Sequence, residues 1–253
     1  EVMPDEIYNF AAMSDVRRSF DMPAMTMDVN CKGLLPIIET VRQVNHECKI
    51  YQAGTSEIFR RVQESPQKES TPYYPLSPYA VSKGASIHMA RSYRESYGMM
   101  IYVGILFNTE SERRGEEFVT KKICKAVAEI VNNKREKLTL GNLEAKRDWG
   151  YAPEYCAWIK KIMESDKPSE YVIATGETHS VREFLDEAFG YVGIKDWEQF
   201  VECDKSLYRP GEVDYLCGDS SKSESILGFQ PMIKFHQLVK IMMQHELNQF
   251  LHP

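Results

Sequence analysis

The chain has 253 residues, of which 43% are hydrophobic and 27% charged, and a formal net charge of -6. That length and apolar content suffice for one large core, or a large domain with a smaller one. The acidic balance leans away from nucleic acid and anionic membrane surfaces. The apolar runs are short and broken by charge, so none is expected to cross a bilayer. Glu1-Val2-Met3-Pro4-Asp5-Glu6 is acidic and lacks the apolar stretch of a signal peptide. The six cysteines are scattered, with no Cys-x-x-Cys pair. That pattern suits reduced thiols in the cytoplasm better than a disulfide framework or a metal site.

In chain order, residues 6–12 read as a short buried strand. Residues 23–45 read as a helix with Pro23 in its first turn and a kink expected at Pro36. Residues 48–53 form the next strand, closing at Gly54, and the charged, Pro-rich stretch 60–75 reads as a loop. Ser77 caps a helix with Pro78 at its first position, and Gly98 stops it after Tyr97. Residues 101–107 form a strongly apolar strand. Residues 116–132 have helical apolar spacing, with Phe118, Ile123, Val127 and Ile130 on one face. A short strand is expected at 138–140, helices at 152–165 and 180–191, and a strand at 171–174 between them. Residues 195–217 are less regular. Residues 219–227 and 232–250 read as closing helices.

Alternating strands and helices argue for an α/β fold with a parallel sheet. After about Asn108 the alternation gives way to longer loops. The expected division is a sheet domain over 1–107 and a smaller part over 108–253, interleaved with it.

Tyr79 and Lys83 stand four apart behind the capped helix start, so they share a helix face. A nearby ammonium favours phenolate, which predicts a tyrosine acidified below its usual value of about 10 and able to act as a general base. The spacing alone is a weak signal: a second such pair, Tyr191 and Lys195, occurs among the 14 tyrosines, and an exposed helical Tyr/Lys pair is the commoner meaning. Thr55-Ser56-Glu57 strengthens it. A strand ending at Gly54 delivers these residues to the carboxyl edge of the sheet, where open α/β folds bind ligands. A hydroxyl there can hold a substrate oxygen, and a carboxylate can move a proton.

Thr55-Ser56-Glu57 followed by Ser77-Pro78-Tyr79-Ala80-Val81-Ser82-Lys83 resembles the extended short-chain dehydrogenases/reductases that act on nucleotide sugars. Further segments resemble the GDP-mannose 4,6-dehydratase family within that group: Gly104 to Asn108, Glu110-Ser111, Arg113-Arg114-Gly115, Phe118-Val119-Thr120, Leu140-Gly141-Asn142-Leu143, Lys146-Arg147-Asp148-Trp149-Gly150, Ala174 to Glu177 with His179 to Phe184, and Arg209 to Asp214. They run in order over most of the chain.

The resemblance implies a Rossmann-like fold, NADP as cofactor, GDP-mannose as substrate and a homo-oligomer, dimer or tetramer. It implies catalytic roles for Thr55, Glu57, Tyr79 and Lys83. Ala11, Ala12, Ser14, Arg113 and Arg114, with Tyr79 and Lys83, would meet the cofactor, the two arginines that of a neighbouring subunit. Asn108, Val119, Lys122, Leu140, Gly141, Arg147, Arg209 and Glu212 would line the sugar-nucleotide site. Arg147 and Arg209 suit a diphosphate, although a surface salt bridge is the ordinary fate of an arginine. The helices around 23–45 and 77–97 resemble those of the family's dimer interface.

The sequence departs from the family at several places. The opening strand and Gly-x-x-Gly-x-x-Gly turn have no counterpart here, which leaves an expectation of a partial cofactor wall. Gly54 stands where a small Ser is usual, Arg60 where Gly is usual, Thr109 for His and Glu112 for Pro. Arg60 is expected to crowd the Glu57 loop. Two readings of different class follow: a GDP-mannose 4,6-dehydratase, or a non-catalytic truncated relative that binds a GDP-sugar or partner subunits.

Overall fold

A computed structural model of the chain describes residues 3–208 and 215–251. The first half runs β1 (Glu6–Asn9), α1 (Val16–Asp21), α2 (Pro23–Met27), a π-helical turn (Asp28–Lys32), α3 (Leu34–Val44), β2 (Lys49–Ala53), a 3-10 turn (Ser56–Phe59), α4 (Pro78–Tyr97) and β3 (Ile101–Leu106). The second half begins with β4 (Asn108–Glu110), α5 (Val119–Val131), β5 (Leu138–Leu140), β6 (Lys146–Arg147) and β7 (Trp149–Tyr151). It continues with α6 (Ala152–Glu164), β8 (Glu170–Ile173), β9 (His179–Ser180), α7 (Val181–Tyr191), β10 (Val201–Cys203), α8 (Ser221–Leu227) and α9 (Phe235–Leu251).

β1, β2, β3 and β8 form one sheet in that spatial order, with every pairing parallel. Both faces are covered, so the strands are apolar on both sides. Ile50, Ile101, Val103 and Ile105 point to the face carrying α3 and α4, where they pack on Leu34, Ile38, Ile58 and Ile87. Tyr51, Tyr102 and Tyr171 point to the other face, against Tyr155, Trp158 and Ile162 of α6. Burying each such aliphatic side chain contributes about 2–3 kcal/mol. A further core joins α5, α7 and α9 around Ile123, Val127, Phe184, Phe189, Leu238 and Met242. The buried Lys121–Glu246 ion pair ties α5 to α9. The fold is thus α/β and Rossmann-like, as expected.

Three expectations need correction. The first strand stops at Asn9 rather than residue 12. The first long helix is interrupted before Pro36: the π-helical turn ends where Gly33 N–H donates to Asp28 O at 2.8 Å, and a Cβ on Gly33 would lie 2.6 Å from the Val29 carbonyl oxygen. Pro36 instead falls in the first turn of α3, where a missing N–H breaks little. Finally, stretches to which no element was given contain short strands: β4 pairs β7, β6 pairs β9, and β10 pairs the expected strand β5.

Candidate functional site

The site forms at the carboxyl end of β2 and the amino end of α4. Gly54 N–H donates to Gly104 O at 2.7 Å, and a Cβ on Gly54 would meet that oxygen at 2.9 Å. A side chain there would push β2 and β3 apart, which accounts for glycine in place of serine. Thr55 follows in an extended conformation and caps the 3-10 turn, its Oγ1 accepting from Glu57 N–H at 3.3 Å. Ile58 and Phe59, both wholly buried, anchor that turn in the core. Arg60, 2% exposed, donates from Nη1 to Glu57 Oε2 at 2.8 Å. The expected crowding is therefore an ion pair.

α4 begins as its sequence dictates. Ser77 Oγ accepts from Ala80 N–H at 3.1 Å, Pro78 takes the first helical position and Gly98, at φ 68°, ends the helix. This places Tyr79 in the first turn, buried beside Thr55 and Glu57. Lys83 lies one turn further in and is also buried, its Nζ donating to Ala53 O at 2.9 Å.

The electrostatics overturn one expectation. Tyr79 is not acidified; burial pushes its phenol up to about 12, Glu57's negative charge adds to that, and the Thr55 hydrogen bond and Arg114's positive charge oppose it. Lys83 is held down to about 8 by burial. The physical reason is that a shared helix face does not fix where a long side chain ends. Lys83 spends its ammonium on a backbone carbonyl, and desolvation disfavours both charged forms.

The remaining expected residues are distributed as follows. Ala11, Ala12 and Ser14 follow β1 at the same edge of the sheet as Thr55, and Ala11 and Ser14 are exposed. Their segment is held by Asn30, which was not singled out from sequence. Its amide accepts from Met13 N–H at 2.7 Å and donates to Met13 O at 3.1 Å and to Ser82 Oγ at 3.0 Å. Arg113 is exposed, whereas Arg114 pairs with the buried Glu110 at 3.1 Å and lies over the Phe118 ring at 3.4 Å. Asn108 opens β4, with its N–H donating to Asp148 O at 3.1 Å. Val119 and Lys122 occupy the first turn of α5, Lys122 exposed. Leu140 puts its side chain in the α5–α7–α9 core and its carbonyl accepts from Asp204 N–H, so only Gly141 of that pair stays near the surface. Arg147 is buried in β6. Arg209 and Glu212 lie outside the described residues.

Asp148 was quoted within its segment but given no role. It is fully buried and accepts from Thr175 N–H (2.9 Å) and Thr175 Oγ1 (2.7 Å) on Oδ1, and from Gly176 N–H (3.1 Å) and Gly218 N–H (3.2 Å) on Oδ2. Burial still pushes its carboxyl up to about 6 against these bonds. Gln67 reinforces the same junction, accepting from Cys217 N–H at 3.0 Å through Oε1. Together they tie the loops after β6 and β8 to Cys217 and Gly218.

A ledge at 11–14 with three small residues, Ala11, Ala12 and Ser14, linked through Asn30 to Ser82 of the helix that carries Tyr79 and Lys83, can accommodate a flat cofactor ring. Among the described residues no cluster suits a metal ion, and no helix is long and apolar enough to cross a membrane.

Comparison with known proteins places the chain in a family. A family model described as GDP-mannose 4,6 dehydratase matches residues 1–242. The chain is 48% identical over 250 residues to GDP-mannose 4,6 dehydratase 1 of Arabidopsis thaliana, covering 97% of this chain and 69% of that protein. It is 42% identical over 265 residues to the human GDP-mannose 4,6 dehydratase, covering 98% and 71%. Among solved structures, RMD from Pseudomonas aeruginosa complexed with NADPH superposes with a TM-score of 0.89 at 19% identity, over 97% of this chain and 82% of that one. DesIV, a dTDP-glucose 4,6-dehydratase from Streptomyces venezuelae with NAD bound, gives 0.85 at 24% identity, over 98% and 74%. At those identities the structures speak for the fold alone, but the family model and the sequence relatives speak for more: the chain belongs to the GDP-mannose 4,6-dehydratase family.

Proposed function

We propose that the protein converts GDP-mannose to GDP-4-keto-6-deoxymannose with loss of water. The observation that carries this reading is the meeting of Thr55, Glu57, Tyr79 and Lys83 at one corner of the sheet. In this reading residues 1–107 supply the cofactor side and 108–253 mainly the nucleotide-sugar side.

A bound NADP would supply the hydride acceptor for C4 and the donor for C6. Ala11, Ala12, Ser14, Lys83, Arg113 and Arg114 are the residues that would hold it, and the small 11–14 ledge braced by Asn30 supports this. The choice of NADP over NAD rests on the family resemblance. Tyr79 takes the proton of the sugar 4-hydroxyl while Thr55 hydrogen-bonds the oxygen. Burial holds the phenol up in the free chain, and a positive charge turned toward it, such as that of Lys83 leaving the Ala53 carbonyl, would favour the phenolate. The 4-ketone acidifies C5. Glu57 takes the C5 proton, the C6–O bond breaks, and the same proton leaves with the hydroxyl as water. C5 then regains a proton equal to the one given up at O4, which closes the balance.

Asn108, Val119, Lys122, Leu140, Gly141, Arg147, Arg209 and Glu212 would meet the sugar nucleotide, with Leu140 acting only by framing Gly141. Exposed Phe20, Met25 and Val81 on α1, α2 and α4 support association of this chain with copies of itself. All six cysteines are free thiols, in keeping with the cytoplasm.

The test is incubation of the protein with NADP and GDP-mannose deuterated at C4. Keto product carrying the label at C6 is expected. Binding of GDP-mannose without product would instead mark a non-catalytic relative, and label lost to water would exclude internal hydride return.

A further inference from the structure

We propose that Arg60 is a positioning residue for Glu57, holding its carboxylate in the orientation that serves proton removal at C5. The proposal deepens the dehydratase reading and rests on it.

Three observations carry it. First, Arg60 is 2% exposed and its Nη1 donates to Glu57 Oε2 at 2.8 Å. A guanidinium is rarely buried so deeply unless something holds it, and here the partner is the carboxylate the reaction would use. Second, the two side chains are three residues apart across a 3-10 turn, the spacing at which side chains eclipse. Third, the backbone beneath Arg60 is fixed on both sides. Tyr74 N–H donates to Ile58 O at 2.8 Å, and Arg61 N–H donates to Tyr74 O at 3.2 Å. With the backbone held and the Arg60 side chain only 1% exposed, the guanidinium has little room to move, and it holds the glutamate beside it.

Glu57 is pinned at both ends: its N–H by Thr55 Oγ1 and its Oε2 by Arg60. Its side chain is 14% exposed, so it is not sealed in the core as Arg60 is. A flexible three-rotor side chain would otherwise search several orientations. Misplacing a reacting group by about 1 Å costs on the order of a hundredfold in rate.

The experiment uses Arg60→Gln, Arg60→Lys, Glu57→Gln and the double variant Glu57→Gln/Arg60→Gln. In the presence of NADP and GDP-mannose, Arg60→Gln is expected to form keto product about 10–100-fold more slowly. Its affinity for GDP-mannose stays within twofold. Absorbance of reduced nicotinamide is expected to build up in the first turnover, because oxidation at C4 does not need Glu57. Exchange of the C5 hydrogen with deuterated water slows in parallel. Arg60→Lys restores part of the rate. Product formation and C5 exchange within twofold of the unaltered protein would overturn the proposal. So would a loss shared equally by C4 oxidation and C5 exchange, which marks a merely structural arginine.

The second arm reads melting temperature and needs no activity. If the two side chains are coupled, the double variant loses less than the sum of the single losses; an additive sum overturns the pair. An unaltered protein that makes no product, together with a coupled cycle, sinks the dehydratase reading and leaves the pairing intact.

Discussion

Asp148 and Tyr79 are both buried polar groups at the carboxyl edge of one sheet, yet they are treated in opposite ways. Asp148 receives four donors from two other loops, all of them within the protein. Tyr79 is surrounded by opposing influences: burial and Glu57 push its phenol up, while Thr55 and Arg114 pull it down. Lys83, its expected partner, is turned to a backbone carbonyl. A group kept for structure is satisfied in place. A group that serves chemistry, as proposed for Tyr79, is left with competing influences that a ligand can tip. The same contrast separates Arg114, which stacks on Phe118 and pairs with Glu110, from the exposed Arg113 beside it.

The largest effect should come from breaking the chemical side. Tyr79→Phe is expected to lower turnover about 1,000-fold or more while GDP-mannose affinity is kept. Steady-state kinetics beside calorimetry would decide this, and near-normal turnover would remove Tyr79 from the proton transfer.

Breaking the structural side should cost stability. Asp148→Asn turns an amide N–H₂ toward donors that need an acceptor, at about 2–4 kcal/mol in urea unfolding at pH 7. The pH dependence sharpens the point. With its folded value raised to about 6, Asp148 keeps a proton that the unfolded chain releases near 3.8. Its contribution is fully present below pH 3.8 and is lost as pH rises through about 6. That slope amounts to about 3 kcal/mol and should be missing from the Asn variant. An unchanged slope would mean that other carboxylates set it.

Gly54→Ser is expected to cost about 1–3 kcal/mol, because the new side chain must displace the Gly104 carbonyl or the strand that carries it. A melting temperature equal to that of the unaltered protein would show that β2 and β3 separate easily. The smallest effect is a control: Lys32→Ala removes an exposed pair with Asp28 and should leave melting and turnover unchanged.

Much of this was legible in the sequence. The helix over 78–97 announced itself through Ser77, Pro78 and Gly98, because capping is local chemistry. The strands at 49–53, 101–106 and 170–173 were visible as apolar runs, since both faces of the sheet are covered. Thr55, Glu57, Tyr79 and Lys83 were singled out by position and by the family resemblance, and the structure brings them to one corner of the sheet. What spacing could not give was depth: Tyr79 and Lys83 share a helix face, but burial moves their pKa values in directions the face does not predict. Nor could it give partners distant in the chain. Asn30 holds Met13 across a π-helical turn that no apolar period betrays, and Arg60 read as an intruder because its salt bridge to Glu57 depends on the turn's geometry. Of the two- and three-residue strands only the one at 138–140 is legible, because the others are too short to show alternation.

Gln67 and Cys217 meet across 150 positions of chain, and Asp148 reaches Gly218 across 70. Contacts of such separation are gained only after the intervening chain has condensed, since each must first overcome the entropy of closing a long loop. The Gln67–Cys217 junction is therefore expected to close after α4 and the pairing of β2 with β3. In native-state hydrogen exchange, the amides of Thr175, Gly176 and Gly218 should open at lower free energy than those of β2 and β3. The protein would lose its reactive corner to partial opening well before it lost its fold, so heat inactivation should run ahead of global unfolding.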